Sequence, residues 1–193
     1  MGWAGVRMSV TGKAGARHAL RKGTAGDHDR VDAAFSRFEL NHREGYAAFL
    51  RAQARAFMPI EAALDRSDAI AQLPDWSRRR RSDALAADLA ELGHPVEPDA
   101  ASAGEGGSTF ATIEDVLGAV YVLEGSRLGG QLLVRSVPAG LPRRFLDAGD
   151  ASLWRTLVAA IDKMLITKEQ IATATVAARA VFARFEKEAL AVR

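Results

Sequence analysis

Apolar positions recur at helical spacing along most of the chain, and the alternation of a half-buried strand is almost absent. Residues 1 to about 12 show no period and form an expected flexible segment ahead of one helical domain, 13–193. Residues 13–22 suit a short basic helix ending near Gly23. Thr24 is a good N-cap for a second helix, with Asp27 in the first turn where a carboxylate complements the helix dipole. Val31, Ala34, Phe35 and Phe38 then lie to one side. Asn41 with Glu44 has capping-box spacing and opens a third helix bearing Tyr46, Phe49, Leu50, Ala54 and Phe57, which Pro59 is expected to end or bend.

Pro74-Asp75 introduces a further helix with Trp76, Leu85, Leu89 and Leu92 as its stripe, stopped at Gly93. Residues 94–111, rich in Pro, Gly, Ser and Ala, form the clearest loop. Thr112 with Asp115 starts a long apolar helix over about 112–136, and Pro138 to Gly149 is a connector. A helix over about 151–166 carries Leu153, Trp154, Leu157 and Ile161, and Thr167 with Gln170 caps the last, about 168–191. No repeat or second domain is visible. The pattern predicts a single all-α bundle.

Composition narrows the chemistry. The 193 residues, 48% hydrophobic and 26% charged, suit one soluble globular domain. With no cysteine, disulfides, thiolate metal sites and thiol nucleophiles are excluded, so metal chemistry falls to 4 histidines, carboxylates or an imported cofactor. Net charge is only +2, and the one dense basic run, Arg78–Arg81, is flanked by Asp75, Asp83 and Asp88. That run reads as a solvated helix face with a secondary use as a docking patch for an acidic partner; without interleaved aromatics it does not point to nucleic acid. The N-terminus lacks the apolar core of a signal peptide, and the longest apolar stretch, near Leu117–Leu123, is too short to span a membrane. The expected location is cytoplasmic.

Two segments carry candidate chemistry. The first, VLGAVYVLEGSRLGGQLLVR (116–135), places Gly118, Gly125, Gly129 and Gly130 in one helix. Each glycine costs roughly 1 kcal/mol relative to alanine, so four cost about 3–4 kcal/mol. Gly125 and Gly129 share a face with Ser126 and Gly130 beside them, leaving almost bare backbone for something flat to approach. Spacing alone leaves close helix packing and a ligand equally open. The second, LRKGTAGDHDRVDAAF (20–35), sets Thr24, His28 and Asp32 on one face, and a metal-ligating histidine commonly donates its other N–H to such a carboxylate. Taken alone, this segment describes a surface histidine between Asp27 and Asp29.

Together the segments resemble a family. YVLEGSRLGG (121–130) is similar to the distal-helix signature of bacterial heme oxygenases, and TAGDHDRVD (24–32) resembles their proximal-histidine segment. YAAFLRAQARAFMPIEAAL (46–64) and WSRRRRSDALAADLAELG (76–93) also look like that family, so the resemblance spans roughly 20–190. It implies heme held between a proximal helix and a glycine-kinked distal helix, with His28 as neutral axial ligand to the iron. Gly125 and Gly129, with Gly130, would lie over the other porphyrin face; Tyr121, Arg21 and Lys22 would meet propionates, with Arg179 a weaker candidate. In the mammalian-like branch an aspartate on the distal helix organises water, whereas alignment on Gly129-Gly130 places Ser126 there. A proton path then implies waters on carbonyls at the glycine kink, beside Ser126 or Arg127.

The implied reaction is oxidative opening of heme to biliverdin, carbon monoxide and ferrous iron, with electrons from a ferredoxin or flavodoxin-type donor. A bilin-accepting photoreceptor is a further expected partner. A non-catalytic heme carrier or sensor is the alternative. A carboxylate-bridged di-iron oxidase would need a Glu-x-x-His pair, and none of His18, His28, His42 and His94 has a glutamate three residues before it. A thiamin-degrading relative would rely on cysteine, and a plain helical adaptor leaves the glycine cost unexplained.

Overall fold

The computed structural model describes residues 15–96, 110–147 and 149–192. The expected loose segment 1–12 and most of the 94–111 loop lie outside these residues. The described residues form α1 (Ala16–Gly23), α2 (Ala25–Phe35), α3 (Arg43–Asp65), α4 (Trp76–Arg79), α5 (Ser82–Glu91), α6 (Ile113–Leu133), α7 (Arg144–Asp147), α8 (Ala151–Met164) and α9 (Lys168–Ala191). Short 3-10 turns cover Asp68–Gln72 and Val134–Ser136, and no strand occurs among the described residues.

Helix starts follow the local capping rules where the cap is made by near neighbours. Thr112 and Asp115 form a reciprocal capping box on α6, and Thr167 with Gln170 forms one on α9. Asp150 caps α8 by accepting from Ser152 N–H at 2.9 Å. Two other caps differ from expectation. His42 rather than Asn41 caps α3: its Nδ1 accepts from Gly45 N–H at 3.2 Å while Nε2 meets Glu39 at 2.8 Å. Thr24 precedes α2, but its hydroxyl donates back to the Leu20 carbonyl at 2.8 Å instead of capping forward.

Pro59 neither ends nor interrupts α3, which continues to Asp65. An interior proline costs about 3 kcal/mol. Phe57, Ile60 and Leu64 are all buried around it, and burying each contributes roughly 1.5–3 kcal/mol, so packing wins. The expected single helix over 76–93 instead breaks at Arg80, whose backbone is extended. The cause is Glu61 of α3. Its buried carboxylate accepts from the N–H groups of Arg81 (2.7 Å) and Ser82 (3.0 Å) and from the Ser82 hydroxyl, capping α5 from outside the local sequence.

This break corrects the reading of the arginine run as a solvated face. Arg78 and Arg80 reach the surface, pairing with Asp150 and Asp65, while Arg79 and Arg81 are 2% and 3% exposed. Arg79 donates to both Asp75 oxygens at 2.8 and 2.7 Å and lies 3.5 Å from Glu124. Arg127 chelates the same Glu124 and donates to the Arg79 carbonyl at 2.7 Å. Glu124 is therefore a core residue joining α4 to α6.

The long helices share α9 as a common support. Gln170 donates to Glu114 at 3.0 Å, and one turn on Gly118 lies against the Ala174 backbone, so α6 and α9 run parallel and in step. On another face of α9, Gly23 meets Thr175, Arg179 meets Asp27, Phe182 meets His28 and Glu186 meets Arg30. So α2 runs in that same direction.

Removing one partner of a buried ion pair strands the others. Glu124→Ala is expected to destabilise the fold by about 3–5 kcal/mol in urea unfolding, far more than Glu44→Ala at an exposed position. Equal midpoints for the two variants would show that Glu124 carries no such role.

Candidate functional site

α2 and α6, both laid along α9, approach each other at Thr24 and Tyr121. The Thr24 hydroxyl acts on the Tyr121 phenol, which is half-buried. Burial raises the Tyr121 pKa, and Arg17, Arg21 and the Thr24 hydroxyl partly oppose that rise. The phenol ring lies 5.8 Å from the Trp154 ring, over which the Arg17 guanidinium sits at 5.6 Å. This cluster of α1, α2, α6 and α8 closes one end of the site.

One helical turn beyond that contact, His28 stands on α2 and Gly125 on α6. The His28 ring is half-exposed, its Nδ1 3.2 Å from Asp32 Oδ2, with Phe182 edge-on at 5.9 Å. Hydrogen bonding to Asp32 raises the His28 pKa, aided by the charges of Asp32 and Asp29 and opposed by burial and by Arg21. With Nδ1 oriented by Asp32, ligation of a metal falls to Nε2.

The α6 glycines separate into two kinds. A Cβ at Gly118 would run into the Ala174 carbonyl, and one at Gly130 would press on Leu146 of α7 at 3.3 Å. These two serve helix packing. At Gly125 a Cβ would meet nothing within 4 Å, so this glycine opens space. Gly129, one turn further, is half-exposed. Ser126 donates to the Leu123 carbonyl at 2.7 Å and accepts from Arg81 at 2.8 Å, and Arg81 donates to that same carbonyl at 2.7 Å.

Arg81 enters the sequence analysis only as one of the basic run Arg78–Arg81; its place beside the site is set by partners distant in sequence. Its guanidinium lies over the rings of Phe57 (4.7 Å) and Phe145 (4.8 Å). Burial, together with the nearby Arg127 charge, lowers its pKa to about 9, so it stays cationic at neutral pH. Phe182 was also missed, being one apolar position among many on α9.

The remaining expected residues fall as follows. Arg21 and Lys22 are exposed at the end of α1, and Arg21 is near enough to act on both His28 and Tyr121. Arg179 donates to the Gly23 carbonyl at 3.0 Å and pairs with Asp27 at 3.3 Å, which ties it to the α1–α2 junction. Arg127 is held by Glu124 in the core. Among the described residues no three His, Asp or Glu side chains gather as a metal site.

Comparison with known proteins gives a consistent answer. Residues 14–189 match the family model described as "Heme oxygenase". The chain is 33% identical over 168 residues to heme oxygenase PigA of Pseudomonas aeruginosa, covering 82% of this chain and 83% of that one. It is 35% identical over 149 residues to a heme oxygenase of Xanthomonas campestris pv. campestris, covering 72% and 86%. Among solved structures, the NO- and CO-bound heme oxygenase from Neisseria meningitidis superposes with a TM-score of 0.72 at 23% identity, covering 94% of each chain. The heme oxygenase from Leptospira interrogans gives 0.69 at 18% identity, covering 92% and 99%. These two share the fold.

Two outcomes are expected. Gly118→Ala, by overpacking α6 on α9, loses about 1–3 kcal/mol, whereas Gly125→Ala gains up to about 1 kcal/mol of helix propensity; denaturant midpoints moving in the same direction would contradict the division. In NMR titration of the ligand-free chain, His28 titrates above 6.5, and Asp32→Asn brings its midpoint down. An unmoved midpoint would detach Asp32 from the ring.

Proposed function

Since the chain belongs to the heme oxygenase family, we propose that it opens heme oxidatively, and that His28 would hold the iron while the Gly125 step of α6 would make room for the macrocycle. The activity is that of a heme oxygenase, yielding biliverdin, carbon monoxide and ferrous iron. Bound heme supplies the iron that activates O2 and the macrocycle that is cleaved.

The observation that carries the assignment is the pair of one-turn steps from the Thr24–Tyr121 contact. On parallel helices they bring His28 and the open backbone of Gly125 to the same level along α9. His28 binds as neutral imidazole, so Asp32 orients the ring and the proton is a competitor for Nε2. Gly125, with Gly129 one turn on, would let the macrocycle approach the backbone of α6. Gly130 belongs to the packing of α6 on α7.

Distal polarity comes from one hydroxyl. Ser126 takes the place where an aspartate would stand, and Arg81 fixes both its hydroxyl and the Leu123 carbonyl. The Leu123 carbonyl is filled by Ser126 and Arg81, so a water here would donate to the remaining lone pair of the Ser126 hydroxyl, whose direction Arg81 fixes. Tyr121 and Arg21, with Lys22 beside them, line the edge at which propionates pair with cations. Arg179 supports that edge through Asp27 and Gly23 rather than by reaching it first. The electron donor is a ferredoxin or flavodoxin-type protein, and we place the reaction in the cytoplasm, where such carriers and a bilin-accepting photoreceptor meet it. No helix among the described residues is long and apolar enough to cross a membrane.

The test is an absorption time course of protein mixed with one equivalent of hemin, given a ferredoxin-type reducing system in air with catalase. The heme band is expected to decay as a red-absorbing bilin grows. A stable band that only shifts on reduction would instead establish a heme carrier or sensor. His28→Ala is expected to change the axial spectrum and abolish turnover. Gly125→Leu should block turnover while leaving the helical content intact; full activity in that variant would remove Gly125 from the site.

A further inference from the structure

α9 buries one side in the core through Ala174, Ala178, Val181 and Phe185, yet its opposite side is not a plain polar surface. A line of exposed positions runs from Glu169 to Leu190 in alternating steps of four and three residues. That is the 3.5-residue period of a helix–helix seam, sustained over three heptads. The three most exposed large apolar side chains among the described residues stand along it: Ile166 (79%) at its start, Val176 (68%) near its centre and Leu190 (58%) at its end. Single exposed apolar residues need no explanation, but three in one line at seam spacing mark a face that another helix covers.

The line reads the same in both directions. About Ala178 as midpoint, Ile166 and Leu190 lie twelve residues to either side, Glu169 and Lys187 nine, Thr173 and Ala183 five, and Val176 and Ala180 two. A second α9 laid antiparallel across a two-fold axis at that level sets Ile166 against Leu190, Glu169 against Lys187 and Val176 against Ala180. Each pairing occurs twice, which is the condition for a closed isologous dimer. Glu169 and Lys187 are both exposed and have no ion-pair partner among the described residues of their own chain, so the two-fold supplies each with its opposite charge. Ala180 and Ala183 leave room for the two backbones to approach. Arg179, beside the axis, is already paired with Asp27 at 3.3 Å, so it brings its own counter-charge.

We infer that this face of α9 is an interface for a second copy of the chain, packed antiparallel about Ala178. One helix face is smaller than the contact of a permanent dimer, so the copies exchange and the dimer forms with rising concentration. The contact leaves untouched the side of α9 that carries Ala174 and Phe182, and is thus separate from the cleft.

Sedimentation velocity of the full chain, from micromolar to millimolar concentration, is expected to show the mean mass rising from one chain mass towards two. Val176→Glu buries a carboxylate in the seam and is expected to weaken association at least tenfold, with helical content by circular dichroism unchanged because the position is exposed. Lys187→Glu and Glu169→Lys, each alone, set like charges across the axis and weaken association. Combined in one chain they restore it, which a parallel pairing does not. A chain that stays single at every concentration would overturn the second copy as occupant. A dimer indifferent to Val176→Glu would overturn the face, and a double variant no tighter than the two single ones would overturn the register. Growth beyond two chain masses would overturn the closed two-fold arrangement.

Discussion

A guanidinium taken out of water must find acceptors in the protein, and Arg81 finds them in the wall of the site itself. Its charge rests on one carbonyl and one hydroxyl of α6, between aromatic rings supplied by α3 and α7. Its own backbone N–H is fixed by Glu61. The burial that pushes its pKa down to about 9 is the cost of this placement. What the fold gains is position: the Leu123 carbonyl and the Ser126 hydroxyl are held on either side of Glu124 and the open step at Gly125. Beneath them, Glu124 binds Arg79 and Arg127 and keeps the same stretch of α6 against α4.

Much of this architecture was legible in sequence because its determinants are local. The capping boxes of Thr112 and Thr167 are formed by residues three apart, and the structure contains both. The glycine cost in α6 correctly marked a helix with an external reason for bare backbone. Where the determinant is distant in sequence, pattern fails. Glu61 breaks the 76–93 helix from twenty residues away. The packing around Pro59 overrides its missing donor. No periodicity distinguishes Arg79 and Arg81 from Arg78 and Arg80, because their burial depends on Glu124 and Ser126, which arrive only with the fold.

The candidate site was legible to a different depth. Spacing and resemblance single out His28 with Asp32, and Gly125 as bare backbone; the structure puts Asp32 3.2 Å from the His28 ring and leaves the space beside Gly125 open. The glycines themselves look alike in sequence. Only the neighbours tell them apart, since the Ala174 carbonyl occupies the space beside Gly118 and nothing occupies that beside Gly125.

The parallel alignment of α2, α6 and α9 makes the last helix a ruler against which both walls of the cleft are set. Eight residues separate Ala174, which fixes α6, from Phe182, which touches His28. Inserting or deleting a single residue in that interval rotates one end of α9 against the other by about 100° and carries one wall out of register with its partner. The spacing of these two contacts along α9, more than the identity of the residues between them, is what holds the walls of the cleft in step.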